Sequence, residues 1–147
     1  MGYTTEFSGK FDLNKPLDEE TFTFLKKLAN TRRVKRNVDP KYGVEGEFYV
    51  DGTGYMGQDI NPSVIDNNNP PRTQPSLWCD WEPTNDRKSI EWNGAEKFYD
   101  YVEWIVYIIE KVLAPKGYVL NGEVKYRGES FNDRGTIVIT NNEVAVA

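Results

Sequence analysis

The sequence predicts an α+β fold in two layers, a mainly antiparallel sheet covered on one face by two helices. Two patterns carry most of that prediction. Over residues 94–113 the apolar positions Phe98, Tyr101, Val102, Ile105, Ile108, Ile109 and Val112 recur at i, i+3, i+4 and i+7, the signature of a buried helix face. From Tyr118 the period changes to two. Tyr118, Leu120, Val124 and Tyr126 alternate with Asn121, Glu123, Lys125 and Arg127, as a half-buried strand requires.

The first element follows from the same alternation: Tyr3, Thr5, Phe7, Gly9, Phe11 and Leu13 form an inner face against Thr4, Glu6, Ser8, Lys10 and Asp12. Pro16 ends that strand. Asp18 then caps a helix with Glu19 and Glu20 in its first turn, Leu17 and Phe22 stapling its start, and Phe22, Leu25, Leu28 and Ala29 as its buried stripe. Residues 47–51 read as a short strand. A loop at about 52–75 follows, rich in Gly, Asn and Pro and irregular up to Ser76.

Leu77, Cys79 and Trp81 alternate with Trp78, Asp80 and Glu82. After a turn at 83–88, Ile90 and Trp92 complete a hairpin. On this reading Cys79 faces the core as inert packing, and Trp78 lies on the opposite face among Asp80, Glu82 and Glu91. The second helix is expected to start at Asn93, with Glu96 completing a capping box, and to stop at Pro115 and Gly117. Its apolar arc, widened by Tyr99, Trp104 and Val106, leaves Asp100, Glu103, Tyr107, Glu110 and Lys111 on the other side. A turn at 132–135 and a two-residue Asn141-Asn142 loop then make a three-strand meander. The short loop pairs Thr140 with Glu143, Ile139 with Val144 and Ile137 with Val146.

A chain of 147 residues is expected to form one domain, residues 1–147, and 14% aromatic content with four Trp supplies a core. No apolar run is long enough to span a membrane and no charged-then-apolar signal stands at the start, so a cytoplasmic protein is expected. Cys79 is the one cysteine and histidine is absent, which excludes an intramolecular disulfide, a Cys/His zinc site and imidazole-activated nucleophiles. Asp51, Asp59 and Asp66 lack the spacing of a calcium loop, and neither a metal nor a cofactor is expected. A net charge of −5 argues against broad nucleic-acid binding.

Binding is the leading functional expectation. Arg32, Arg33, Lys35 and Arg36 place four cations in five positions at a helix C-terminus, where they serve either the helix dipole or a phosphate or acidic partner. Gly52, Gly54 and Tyr55 belong to a G-x-G-x-x-G match that lacks the helix a dinucleotide site requires, and so mark a glycine-rich turn. With Arg72 and Trp78 they make the loop a candidate contact surface. The alternatives are a small histidine-free enzyme using Asp80, Glu82 or Glu91, and a structural subunit whose wide-arced helix is buried in an oligomer.

Met1 to Phe7, Thr31 to Arg36, Lys97 to Trp104 and Gly117 to Val124 together resemble a group of short bacteriophage and bacterial proteins. The resemblance implies a phage origin and action by binding a host or defence component, a protein or a phosphate-bearing small molecule, in the host cytoplasm. It brings no catalytic residue.

Overall fold

The computed structural model describes residues 2–50, 63–66 and 68–147. The fold is α+β, and the described residues form two α-helices and eight strands, six of them in one antiparallel sheet. Strand β1 (Thr5–Leu13) lies in the middle of that sheet. It pairs on one side with β5 (Ser89–Trp92), which pairs with β4 (Trp81–Pro83). On the other side it pairs with β6 (Leu120–Gly128), then β7 (Arg134–Thr140) and β8 (Glu143–Val146). The first strand thus joins the hairpin to the meander. Along β1 and β6 the pairing runs unbroken from Thr5↔Gly128 to Leu13↔Leu120.

One sheet face is apolar, and Phe7, Phe11, Leu120, Val124, Ile137 and Ile139 are buried there in one cluster with residues of both helices. The opposite face carries Glu6, Ser8, Lys10, Glu123, Lys125 and Arg127 to solvent. Gly9 and Gly122 interrupt the inner face at φ +104° and +134°. A Cβ on Gly9 would sit 2.8 Å from the Glu123 carbonyl oxygen, so the two central strands approach only because this residue has no side chain.

Helix α1 (Glu19–Asn30) begins as the sequence predicts: Asp18 Oδ1 accepts from Thr21 N–H at 2.7 Å, and Thr21, Leu25, Leu28 and Ala29 are buried. The meander register also holds, with Thr140↔Glu143, Ile139↔Val144 and Ile137↔Val146 paired. Asn141 and Asn142 adopt φ of +48° and +70°. Asn142 does more than turn the chain. Its Oδ1 accepts from Leu120 N–H at 2.6 Å and its Nδ2 donates to Tyr118 O at 3.0 Å, locking the loop to the start of β6.

Elsewhere the tertiary structure departs from the local pattern. Helix α2 (Tyr101–Ile108), continued by a π-helical turn at Ile109–Leu113, begins well after Asn93. Asn93 Oδ1 accepts from Ala95 N–H, an Asx-type turn, and Gly94, Lys97 and Asp100 all have positive φ, which no α-helix accommodates. Phe98 is buried in the core from this irregular segment, edge-on to Trp81 and close to Phe7. Tyr107, assigned to the outer side of the helix, is also buried. Its hydroxyl donates to Glu47 Oε2 at 2.8 Å and accepts from Gln74 Nε2 at 3.0 Å, because loop segments of the same chain cover that side.

The strand predicted at 47–51 is not formed over 47–50, where the chain leaves a 3-10 turn (Val44–Gly46), and Asp51 lies outside the described residues. The loop expected to be irregular to Ser76 instead supplies β3 (Val64–Asp66), paired with β2 (Lys35–Arg36) in a separate two-stranded sheet. Among the described residues no helix is long and apolar enough to cross a membrane.

Candidate functional site

The basic run folds inward. The Arg33 side chain is 1% exposed, donating from Nη2 to Glu47 O at 2.9 Å and from Nε to Gln74 Oε1 at 3.3 Å. Arg36 is 2% exposed, stacks on Tyr49 with its guanidinium 4.6 Å from the ring centre, and donates to Ser63 Oγ. The exposed helix-end patch that the sequence suggests is therefore not built from these two residues. Past α1 the Arg33 guanidinium donates to the Glu47 carbonyl, which lies outside regular structure, and Arg36 to a loop hydroxyl. Arg32 is half-buried. Lys35 and Arg72 converge on the Glu45 carboxylate at 3.8 and 3.7 Å, a surface cluster with its own counter-ion. Gly52, Gly54 and Tyr55 lie outside the described residues.

Trp78 lies on the wall of a cavity of about 730 Å³. Its position follows from how the chain before β4 is held. Leu77 O accepts from Arg33 N–H at 2.7 Å, Asp80 O accepts from Asn93 N–H at 2.9 Å, and Ser76 Oγ accepts from Trp104 Nε1 at 2.8 Å. The Asp80–Asn93 bond continues the Trp81↔Trp92 register by one residue, whereas Leu77 and Ser76 bond outside the sheet, to Arg33 and Trp104, and the strand itself starts at Trp81. Cys79, Asp80 and Trp81 are then buried in succession, where the sequence suggests alternation. The Cys79 thiol is pushed up to about 12 by burial and serves as packing.

The cavity lies between the end of α1, the 70–80 segment and the irregular 93–99 segment, with Pro75, Leu77, Trp78, Ala95 and Tyr99 as apolar walls. Its volume falls in the usual range of small-ligand pockets. Asp80 supplies the polar feature. The residue is 4% exposed, and among the described residues the hydrogen bond to its carboxylate is a 3.5 Å contact from Asn93 Nδ2. Burial pushes its pKa from 3.8 up to about 6, with the Asn93 contact opposing.

Of the three carboxylates named as a possible acid/base set, Asp80 alone lines the cavity. Glu82 pairs with Lys26 at 3.5 Å and stands opposite Glu91 in the β4–β5 ladder. Among the described residues no group of three or more acidic or cysteine side chains could hold a metal ion. The sequence pattern places Tyr99 on the helix and Asn93 at its cap, so neither reads as a cavity residue. The Asn93-Gly94 pair, a turn dipeptide, was the signal that the chain bends there and opens a cleft. No protein-family model matches the chain and no curated protein or solved structure matches it significantly, so the reading of the site rests on its geometry.

Proposed function

We propose that this is a non-enzymatic binding protein, phage-derived as its resemblance implies, which acts on a host or defence component in the host cytoplasm and grips it in the cleft beside Trp78. One observation carries the reading: a nearly buried carboxylate, with a single long hydrogen bond among the described residues, lines an apolar, aromatic-walled cavity. Packed interiors pair their charges, and an under-satisfied ionisable group in a concave site is what a binding site demands and a purely structural site avoids. The half-buried indole of Trp78 offers the contact area that dominates many binding interfaces. With Arg33 and Arg36 engaged inside the fold, the cleft takes the place of the basic run as the contact site.

A second reading has Asp80 acting as a lone general base, favoured by a pKa near 6. Among the described residues, Glu82 and Glu91, the other carboxylates of that reading, do not line the cavity with it. The test is a screen of ring-sized fragments by NMR, following the indole N–H of Trp78. Binding at the cleft should shift Trp78 and should be lost in Trp78→Ala. Fragments that cluster on the polar sheet face, or that bind Trp78→Ala unchanged, would overturn the proposal.

A further inference from the structure

We infer that the cleft takes an organic cation, an ammonium or guanidinium on an apolar body about the size of one ring, with the charge seated on Asp80 and the body against Trp78 and Tyr99. The inference rests on the cleft being the binding site and adds the class of ligand.

The argument begins with what Asp80 lacks. An ionised carboxylate offers about four acceptor sites, and the described residues fill one of them, at 3.5 Å, with Asn93 Nδ2. Among the described residues no cation supplies the rest. Arg33, whose charge is felt at neighbouring Cys79, donates to Gln74 Oε1 and to the Gly46 and Glu47 carbonyls. Lys97 lines the cavity but is exposed, and its aliphatic stem lies along Gly2.

The walls select the rest of the ligand. Trp78 and Tyr99 line the cavity, and aromatic walls favour methylenes or an aromatic ring and attract a cation. Pro75 and Leu77 add apolar surface without donors for an anion. A phosphate or carboxylate would meet both Asp80 and Glu96, which repel it. The titratable groups around the cavity are Glu96, Lys97 and Tyr99 from the 93–99 segment and Cys79 beside Asp80, while α1 contributes the non-titrating Asn30. Asp80 is the one whose burial brings its titration near neutrality.

Benzylammonium and benzyl alcohol, of similar shape and differing in charge, separate the two claims by calorimetry on the full chain. At pH 7.5 benzylammonium should bind at least tenfold tighter than the alcohol. Because the empty cleft holds Asp80 protonated below about 6, that advantage should shrink roughly tenfold at pH 5, with alcohol binding unchanged. Asp80→Asn should abolish the preference and spare the alcohol, and the wild-type pH comparison tests the same claim without a substitution. Nα-acetylarginine amide identifies the source: tighter binding than benzylammonium points to a side chain of a partner protein, weaker binding to a free amine. Equal affinities for the cation and the alcohol at both pH values overturn the cation and leave the cleft. Binding of neither probe overturns both.

Discussion

Replacing Asp80 by Asn should stabilise the protein at neutral pH and do almost nothing in acid. In the folded chain the carboxyl titrates near 6, against 3.8 for a solvated Asp, and the first cause is burial. A raised carboxyl pKa means that the neutral form is the one the fold tolerates. Its favourable contribution is complete below 3.8 and is lost as pH rises through about 6. At about 1.4 kcal/mol per pH unit, ionised Asp80 costs roughly 3 kcal/mol at pH 7. Asn preserves the shape and the acceptor for Asn93 Nδ2 while carrying no charge. The gain should therefore be about 2–3 kcal/mol at pH 7, a rise of roughly 5–10 °C in Tm for a domain of this size, and under about 0.5 kcal/mol at pH 4.

Calorimetric melts of both proteins at the two pH values supply the measurement. The difference between variants is the informative quantity, since Asp18, held low by its hydrogen bonds from Thr21, and Asp86, held low chiefly by Thr84, weaken both proteins equally in acid. A gain of the same size at pH 4 and pH 7, or a loss at pH 7, would show that Asp80 is adequately solvated or paired, and the site argument would lose its basis.

Asn142→Val should cost roughly 2–4 kcal/mol, because it forces a β-branched residue to φ +70° and removes bonds to Leu120 N–H and Tyr118 O, whereas Asn141→Val should cost about 1–2 kcal/mol. Equal losses in chemical denaturation would remove the special role of Asn142. Tyr107→Phe should cost about 1–3 kcal/mol by leaving Glu47 and Gln74 without their shared hydroxyl, and a neutral result would mean that water replaces it. Arg33→Met should destabilise by roughly 2–4 kcal/mol while Arg72→Ala at the surface changes stability by under about 0.5 kcal/mol. Similar midpoints for the two would contradict the buried assignment of Arg33.

Local chemistry alone determined much of this protein. Alternation in 3–13 and 118–127, the Asp18 cap and the Asn141-Asn142 loop specify strands, a helix start and a register. Each depends on residues within a few positions of one another, on backbone sterics and on which side chains avoid water. Strand order, which the sequence left open, is a long-range outcome: β1 lies between the hairpin and the meander because its inner face completes one apolar surface and Gly9 lets β6 approach. The misread elements share one cause. Phe98 keeps helical spacing with α2 yet is buried from an irregular segment, and Tyr107 and Arg33, polar-tipped residues that periodicity assigns to solvent, are buried where loop segments return over them. A hydrophobic pattern records whether a side chain can be buried and says nothing of which distant segment covers it. The cleft is decided at that same level. Trp78, Asp80 and Tyr99 line one cavity because the chain before β4 leaves the sheet to bond Arg33 N–H through Leu77 O and Trp104 Nε1 through Ser76 Oγ, and neither bond has a signature in the order of the amino acids.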